Sequence, residues 1–130
     1  MKQVITVPGI SEALARHNVP ISPAVKANGF VFISGAPPID PDTGKLSTGN
    51  IEEQTETVMR YLDKVLKASG SSFDQVVKVT LFASNAGYFH RINEVYRKYF
   101  PHDPPARTFV AVGSWPMEFD IEIECVAIAS

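Results

Sequence analysis

Three charged residues near the C-terminal end of the chain stand among apolar neighbours. Arg107 opens the segment Arg107-Thr108-Phe109-Val110-Ala111-Val112, and two glutamates interrupt the run Ile121-Glu122-Ile123-Glu124-Cys125-Val126. Side chains alternate along an extended strand, so Phe119, Ile121, Ile123, Cys125 and Ala127 share one face. Asp120, Glu122 and Glu124 share the other face with Val126 and Ile128. Two carboxylates followed by two apolar residues do not describe a plainly solvated surface. By the same alternation Arg107, Phe109 and Ala111 line one face of their strand, and Thr108, Val110 and Val112 the other. A guanidinium is a planar fork that grips a carboxylate through two parallel hydrogen bonds. If these two strands pair as a hairpin, Arg107 lies near a glutamate, in a carboxylate-binding pocket with a polar wall. The bland readings are an arginine in a surface ion pair and glutamates facing water.

The elements that must position these residues are legible from period and punctuation. Asn28-Gly29 separates strands over 23–27 and 30–35 and carries the strongest short hairpin signal, because both residues tolerate positive φ. The second of these strands is apolar on both faces until Ser34, as expected of a central strand. A loop over 36–50 follows, with three prolines and the turn Asp42-Thr43-Gly44. Val58, Leu62, Val65 and Leu66 fall at helical spacing and predict a helix over 51–68, with Glu52, Glu53 and Glu56 favouring its first turns and Gly70 its end. A strand over 75–83, a helix over 86–99, and strands over 107–112 and 118–129 complete the pattern. With a first strand over 3–7, the order is β-β-β-α-β-α-β-β. It predicts an α+β architecture: one mixed sheet with both helices on one face.

Composition narrows the function. A chain of 130 residues fits one domain over 1–130, and 45% apolar with 20% charged residues is ordinary for a globular protein. The net charge of −2, a pI of about 5.9 and the lack of a basic cluster argue against nucleic acid as a partner. No apolar stretch is long enough for a membrane span, and 1–8 does not resemble a secretory signal, so a cytoplasmic location is expected. Cys125 is the sole cysteine, which excludes an internal disulfide and a cysteine-based metal site within one chain. It projects to the expected core face and reads as a structural residue. His17, His90 and His102 stand at no metal-ligand spacing.

The C-terminal motifs resemble those of the reactive intermediate deaminase (RidA, YjgF) family. Pro105-Ala106-Arg107 leads an apolar strand, and Ile121-Glu122-Ile123 with Glu124 forms the closing one. Phe32-Ile33-Ser34-Gly35 and Ile92-Asn93-Glu94-Val95-Tyr96 agree further, and the likeness extends over about 20–128. The resemblance implies a chorismate-mutase-like fold and a homotrimer in which three sheets line a central barrel, with clefts between subunits. It also implies hydrolysis of imines and enamines of 2-keto acids, of the 2-aminoacrylate type, with release of ammonia and no metal or organic cofactor. On that reading Arg107 holds the substrate carboxylate and Glu122 orients or activates water, with Glu124 in reserve. Ser34 and Asn93 line or support the site, and Phe109, Trp115 and Ile21 complete the expected lining.

Two positions depart from the family pattern. Ile21, in Pro20-Ile21-Ser22-Pro23, stands where the best-known members carry tyrosine, and so supplies no phenol hydroxyl. Trp115, in Gly113-Ser114-Trp115-Pro116, is bulkier than expected; it either roofs a cleft or packs at a subunit seam. Both bear on substrate identity more than on reaction class. The alternatives are a deaminase for a larger enamine such as 2-aminomuconate, and a trimer that binds carboxylate metabolites without turnover. A ribonuclease is disfavoured by the acidic pI and the lack of a basic groove.

Overall fold

In the computed structural model, which describes residues 1–129, Asn28 and Gly29 take φ values of 51° and 81° and close the predicted hairpin. The hairpin joins β2 (Ala24–Ala27) to β3 (Phe30–Ala36). β1 (Gln3–Ile5) pairs antiparallel with β2 on the outer side. After the 36–50 loop comes α2 (Ile51–Ala68). It starts where the Asn50 side chain accepts the Glu53 N–H at 2.9 Å while the Glu53 carboxylate accepts the Asn50 N–H. It is followed by β4 (Val76–Ala83), α3 (Phe89–Tyr99), β5 (Ala106–Ala111) and β6 (Ile121–Ile128). The predicted helix over 86–99 begins as a separate 3₁₀ turn, Ala86–Tyr88, in which the Asn85 side chain accepts the Gly87 N–H.

The six strands form one sheet in the order β1-β2-β3-β6-β4-β5, antiparallel throughout except for β4 and β5. That parallel pair requires a crossover, and α3 supplies it. Both long helices lie on one face, as expected. There Val58, Met59, Leu62, Val65 and Leu66 of α2 and Ile92 of α3 bury against Val31, Val79, Leu81, Ile121 and Ile123. The opposite face is half apolar and open: Phe30, Phe32 and Ile128 are 41%, 48% and 47% exposed. Ion pairs tie the helices together, Arg91 to Glu52 and Lys98 to Glu56, and Arg60 of α2 fastens the 36–50 loop through Asp40 and Asp42.

Two expectations need correction. A further helix, α1 (Ile10–Arg16), lies between the first two strands. It buries only Ile10 fully, and it is held at its start by the Glu12 carboxylate on the Gly9 N–H and by Ser11 Oγ on the Val7 N–H. More consequentially, β5 and β6 do not form a hairpin. β6 inserts between β3 and β4, and β5 is the outer strand beyond β4.

Candidate active site

The placement of β5 decides what surrounds Arg107. Paired in parallel with β4, it sets Arg107 opposite Val79 and Phe109 opposite Leu81, on the face that α3 covers. The Arg107 guanidinium carbon lies 4.7 Å from the centre of the Tyr96 ring and 5.5 Å from that of Phe89. Phe89 is itself braced edge-on by Phe109 and His90. The ion pairs among the described residues engage Arg60, Lys67, Arg91, Arg97 and Lys98, so this half-buried arginine has no carboxylate of its own. Asn93 falls between Phe89 and Tyr96 on the same helical stripe, at the i+4 position from Phe89. That puts Asn93 on the helix face that carries the two rings. The arrangement can hold a planar anion: a guanidinium fixed in plane by aromatic faces, its N–H groups unspent on protein acids.

A second group of residues gathers around Glu122. Between Ile33 and Ala36 the β3–β6 register shifts, so that Ser34 and Gly35 together face Glu124, a bulge of two residues against one. The bulge brings backbone under the Glu122 side chain: a Cβ built on Gly35 would stand 2.6 Å from Glu122 Oε2. Ser34 Oγ donates to the Ser22 carbonyl at 2.6 Å, pinning the 19–23 loop that exposes Ile21. Burial pushes the Glu122 carboxyl above its ordinary pKa; the Trp115 indole N–H in reach of it pulls the other way, and Glu124 on the same strand adds to the rise. Trp115 stacks on Phe119, with ring centres 4.7 Å apart. With Leu46, Thr48 and Met117 these rings bound a cleft of about 570 Å³. Its floor is a closed polar network in which Asp120 accepts from Ser84 Oγ at 2.7 Å and from Gln54 Nε2 at 3.0 Å. Trp115 lines this cleft of the single chain. Glu124 is exposed on the open face.

Because only the flexible end of Glu122 meets that built Cβ, and Gly35 does not need a positive φ, Gly35→Ala should fold yet displace the carboxylate. Since about 1 Å of misplacement can cost on the order of a hundredfold in rate, any reaction that uses the Glu122 carboxylate is expected to slow about 10–100-fold with melting nearly unchanged. Thermal melting and steady-state kinetics of the variant check this.

Within one chain the structure does not bring Arg107 and Glu122 together. Both Arg107 and Cys125 lie opposite Val79, one on each side of β4, so Arg107 is two strands from β6 and level with Cys125. Glu122 is three residues further along and points from the opposite face. Strand spacings of about 4.8 Å and rises of about 3.3 Å per residue make that roughly 10 Å in each direction. Arg107, Phe109 and Asn93 thus lie in one group, and Glu122, Ser34 and Trp115 in another, with Ile21 on the loop that Ser34 pins. Sequence reasoning passed over Phe89, Tyr96 and Gly35. Tyr96 reads as core from its spacing and is 7% exposed, yet its ring also carries Arg107. Gly35 carries no signal beyond following Ser34. Cys125 is buried and its thiol is pushed up to about 12 by that burial, which removes it as a nucleophile. No group of three or more histidine, cysteine or acidic side chains able to hold a metal occurs among the described residues.

The endoribonuclease L-PSP family model matches residues 12–129. The chain belongs to that family. Among the family's members, reactive intermediate deaminase A of Arabidopsis thaliana, described as chloroplastic, is 40% identical over 126 residues, 97% of this chain and 65% of its own length. A RutC family protein of Pyrococcus horikoshii is 40% identical and matches over 98% of both chains. Among solved structures, a Thermotoga maritima protein described as a putative endoribonuclease superposes with a TM-score of 0.87 at 43% identity, covering 100% of this chain and 99% of that one. Escherichia coli TdcF, crystallised with bound serine, superposes at 0.79 with 30% identity, over 85% of this chain and 89% of its own. Membership in this L-PSP/YjgF family makes the fold the chorismate-mutase-like one expected from the sequence, and it places a deaminase among the chain's relatives.

Proposed function

We propose that this protein hydrolyses 2-imino acids and their enamine tautomers to 2-keto acids and ammonia, as a homotrimer whose sites are shared between neighbouring subunits. The observation that carries the reading is Arg107: a half-buried guanidinium held on aromatic faces and left without an acid partner, as an anchor for a substrate carboxylate must be. Glu122 supplies the second requirement, a desolvated carboxylate able to hold a water or take its proton. An enamine is first protonated at carbon to give the imine. Water then adds to the C=N carbon, and the carbinolamine collapses to the keto acid as ammonia leaves. Such intermediates hydrolyse unaided, so orientation of water against an anchored substrate is the main task.

The same geometry supports the trimer reading. Two half-sites on opposite faces of one sheet meet only if the β5 edge of one subunit packs against the open face of the next, a head-to-tail contact that closes as a ring. The exposed Phe30, Phe32 and Ile128 are then covered by protein. Among the described residues no helix is long and apolar enough to cross a membrane, and a cytoplasmic location remains the proposal.

The test generates 2-imino acids in situ from several amino acids with an amino-acid oxidase and traps free imine with semicarbazide. A dose-dependent loss of trapped imine is the expected result. Its ranking across side chains reports how Ile21 and Trp115 shape the cleft. No effect on any imine, from protein of confirmed trimeric mass, would move the reading to a larger enamine such as 2-aminomuconate or to a binding role.

A further inference from the structure

Resting on the carboxylate-anchor reading of Arg107, we infer that Tyr96, with Phe89, is a positioning residue that fixes the Arg107 guanidinium by aromatic stacking and so sets how tightly the site holds its acid substrate.

An arginine that must receive a ligand carboxylate faces a conflict. Left free, its long side chain loses rotamer entropy at every binding event. Fixed by a protein carboxylate, it is already occupied. Aromatic faces resolve this, because a ring attracts the cation through its π-cloud without taking up the in-plane N–H donors. Here Tyr96 lies 4.7 Å and Phe89 5.5 Å from the guanidinium carbon. The two rings rise from one stripe of α3, seven residues apart, and are themselves immobilised. Phe100 packs against Tyr96 at 4.8 Å, and Phe109 meets Phe89 edge-on at 5.2 Å. The Tyr96 hydroxyl makes no hydrogen bond of good geometry among the described residues, although the residue is only 7% exposed, and the neighbouring Arg107 guanidinium offsets part of the rise that burial gives its pKa. A core position filled for packing alone would favour phenylalanine, since an unpaired buried hydroxyl is destabilising. A ring with an electron-donating hydroxyl under a cation has a reason to be there.

The test uses the assembled protein and two readouts: the Kd of 2-oxobutyrate, a product-type carboxylate, by calorimetry, and kcat and KM with an imine generated in situ. Tyr96→Leu should weaken 2-oxobutyrate about tenfold and raise KM similarly while kcat changes less than about twofold, because the anchor binds ground state and transition state alike. Tyr96→Phe, which keeps the ring, should restore most of the affinity. Should Tyr96→Leu fail to assemble, Phe89→Leu, at a partly exposed position, is expected to weaken binding about threefold. Wild-type affinity in an assembled Tyr96→Leu or Phe89→Leu protein would overturn the inference, as would a fall in kcat with KM unmoved. Arg107→Ala run alongside separates the two levels: if it too leaves binding intact, the anchor reading itself is wrong, whereas loss in Arg107→Ala alone discards only the aromatic clamp.

Discussion

Arg107→Ala is expected to lower kcat/KM for imine hydrolysis by about 10²–10³-fold, since a desolvated charge pair is worth about 2–5 kcal/mol to the partner left behind. The same substitution should move the melting temperature by only about 3 °C. These effects separate because no carboxylate among the described residues pairs with Arg107, so its removal strands no buried acid there. Arg107→Lys, which keeps the charge but not the fork, should recover only part of the loss. Steady-state kinetics and calorimetric melting of the two variants decide the matter. Wild-type kinetics in a folded Arg107→Ala protein would end the assignment.

Glu122→Gln should act on the other kinetic constant and, unusually for an inactivating change, make the protein more stable. Loss of a group that positions or deprotonates water is expected to cost about 10²–10⁴-fold in kcat with KM little altered. Burial raises the Glu122 carboxyl above its unfolded value, so the folded protein holds that proton more tightly than the unfolded chain does. The associated stability is complete below the ordinary carboxylate range and is lost as pH rises through the raised value. At neutral pH the ionised group carries its desolvation cost, which glutamine does not. Glu122→Gln should therefore melt above the parent at about pH 7, with the gap closing towards about pH 4. Equal melting at both pH values would show that the carboxylate is not desolvated. The two inactive variants then combine. If each site takes Arg107 from one subunit and Glu122 from the next, trimers assembled from an equal mixture should recover about a quarter of wild-type activity. Sites contained in one chain would recover none.

What was legible in the sequence was whatever depends on neighbours along the chain. The Asn28-Gly29 turn and the 3.6-residue spacing of Val58, Leu62 and Val65 are local signals, and the structure follows them. α1 was not legible because seven residues with one buried side chain leave almost no apolar stripe. The larger miss was the pairing of β5 with β6. Alternation gave the faces of each strand, but which strands become neighbours depends on how the whole sheet closes, and consecutive strands are only the commonest choice. The error mattered for the site. Arg107 and Glu122 stood out individually as charges among apolar residues, yet their relation to one another reversed from one shared pocket to two faces of a sheet. Tyr96 and Gly35 stayed hidden for another reason: one serves through the face of a ring that also packs the core, the other through the atom it lacks.

The position of β6 also bears on how the molecule is made. It is the last strand in chain order and lies in the middle of the sheet, with β1-β2-β3 on one side and β4-β5 on the other. Until the ribosome has released 121–128, the nascent chain holds two separate sheet fragments, each with an unpaired inner edge and half of an apolar layer uncovered. Synthesis from the N-terminus thus offers no stepwise completion of the core. The two fragments are joined only through β6, so the sheet is whole only once 121–128 is in place.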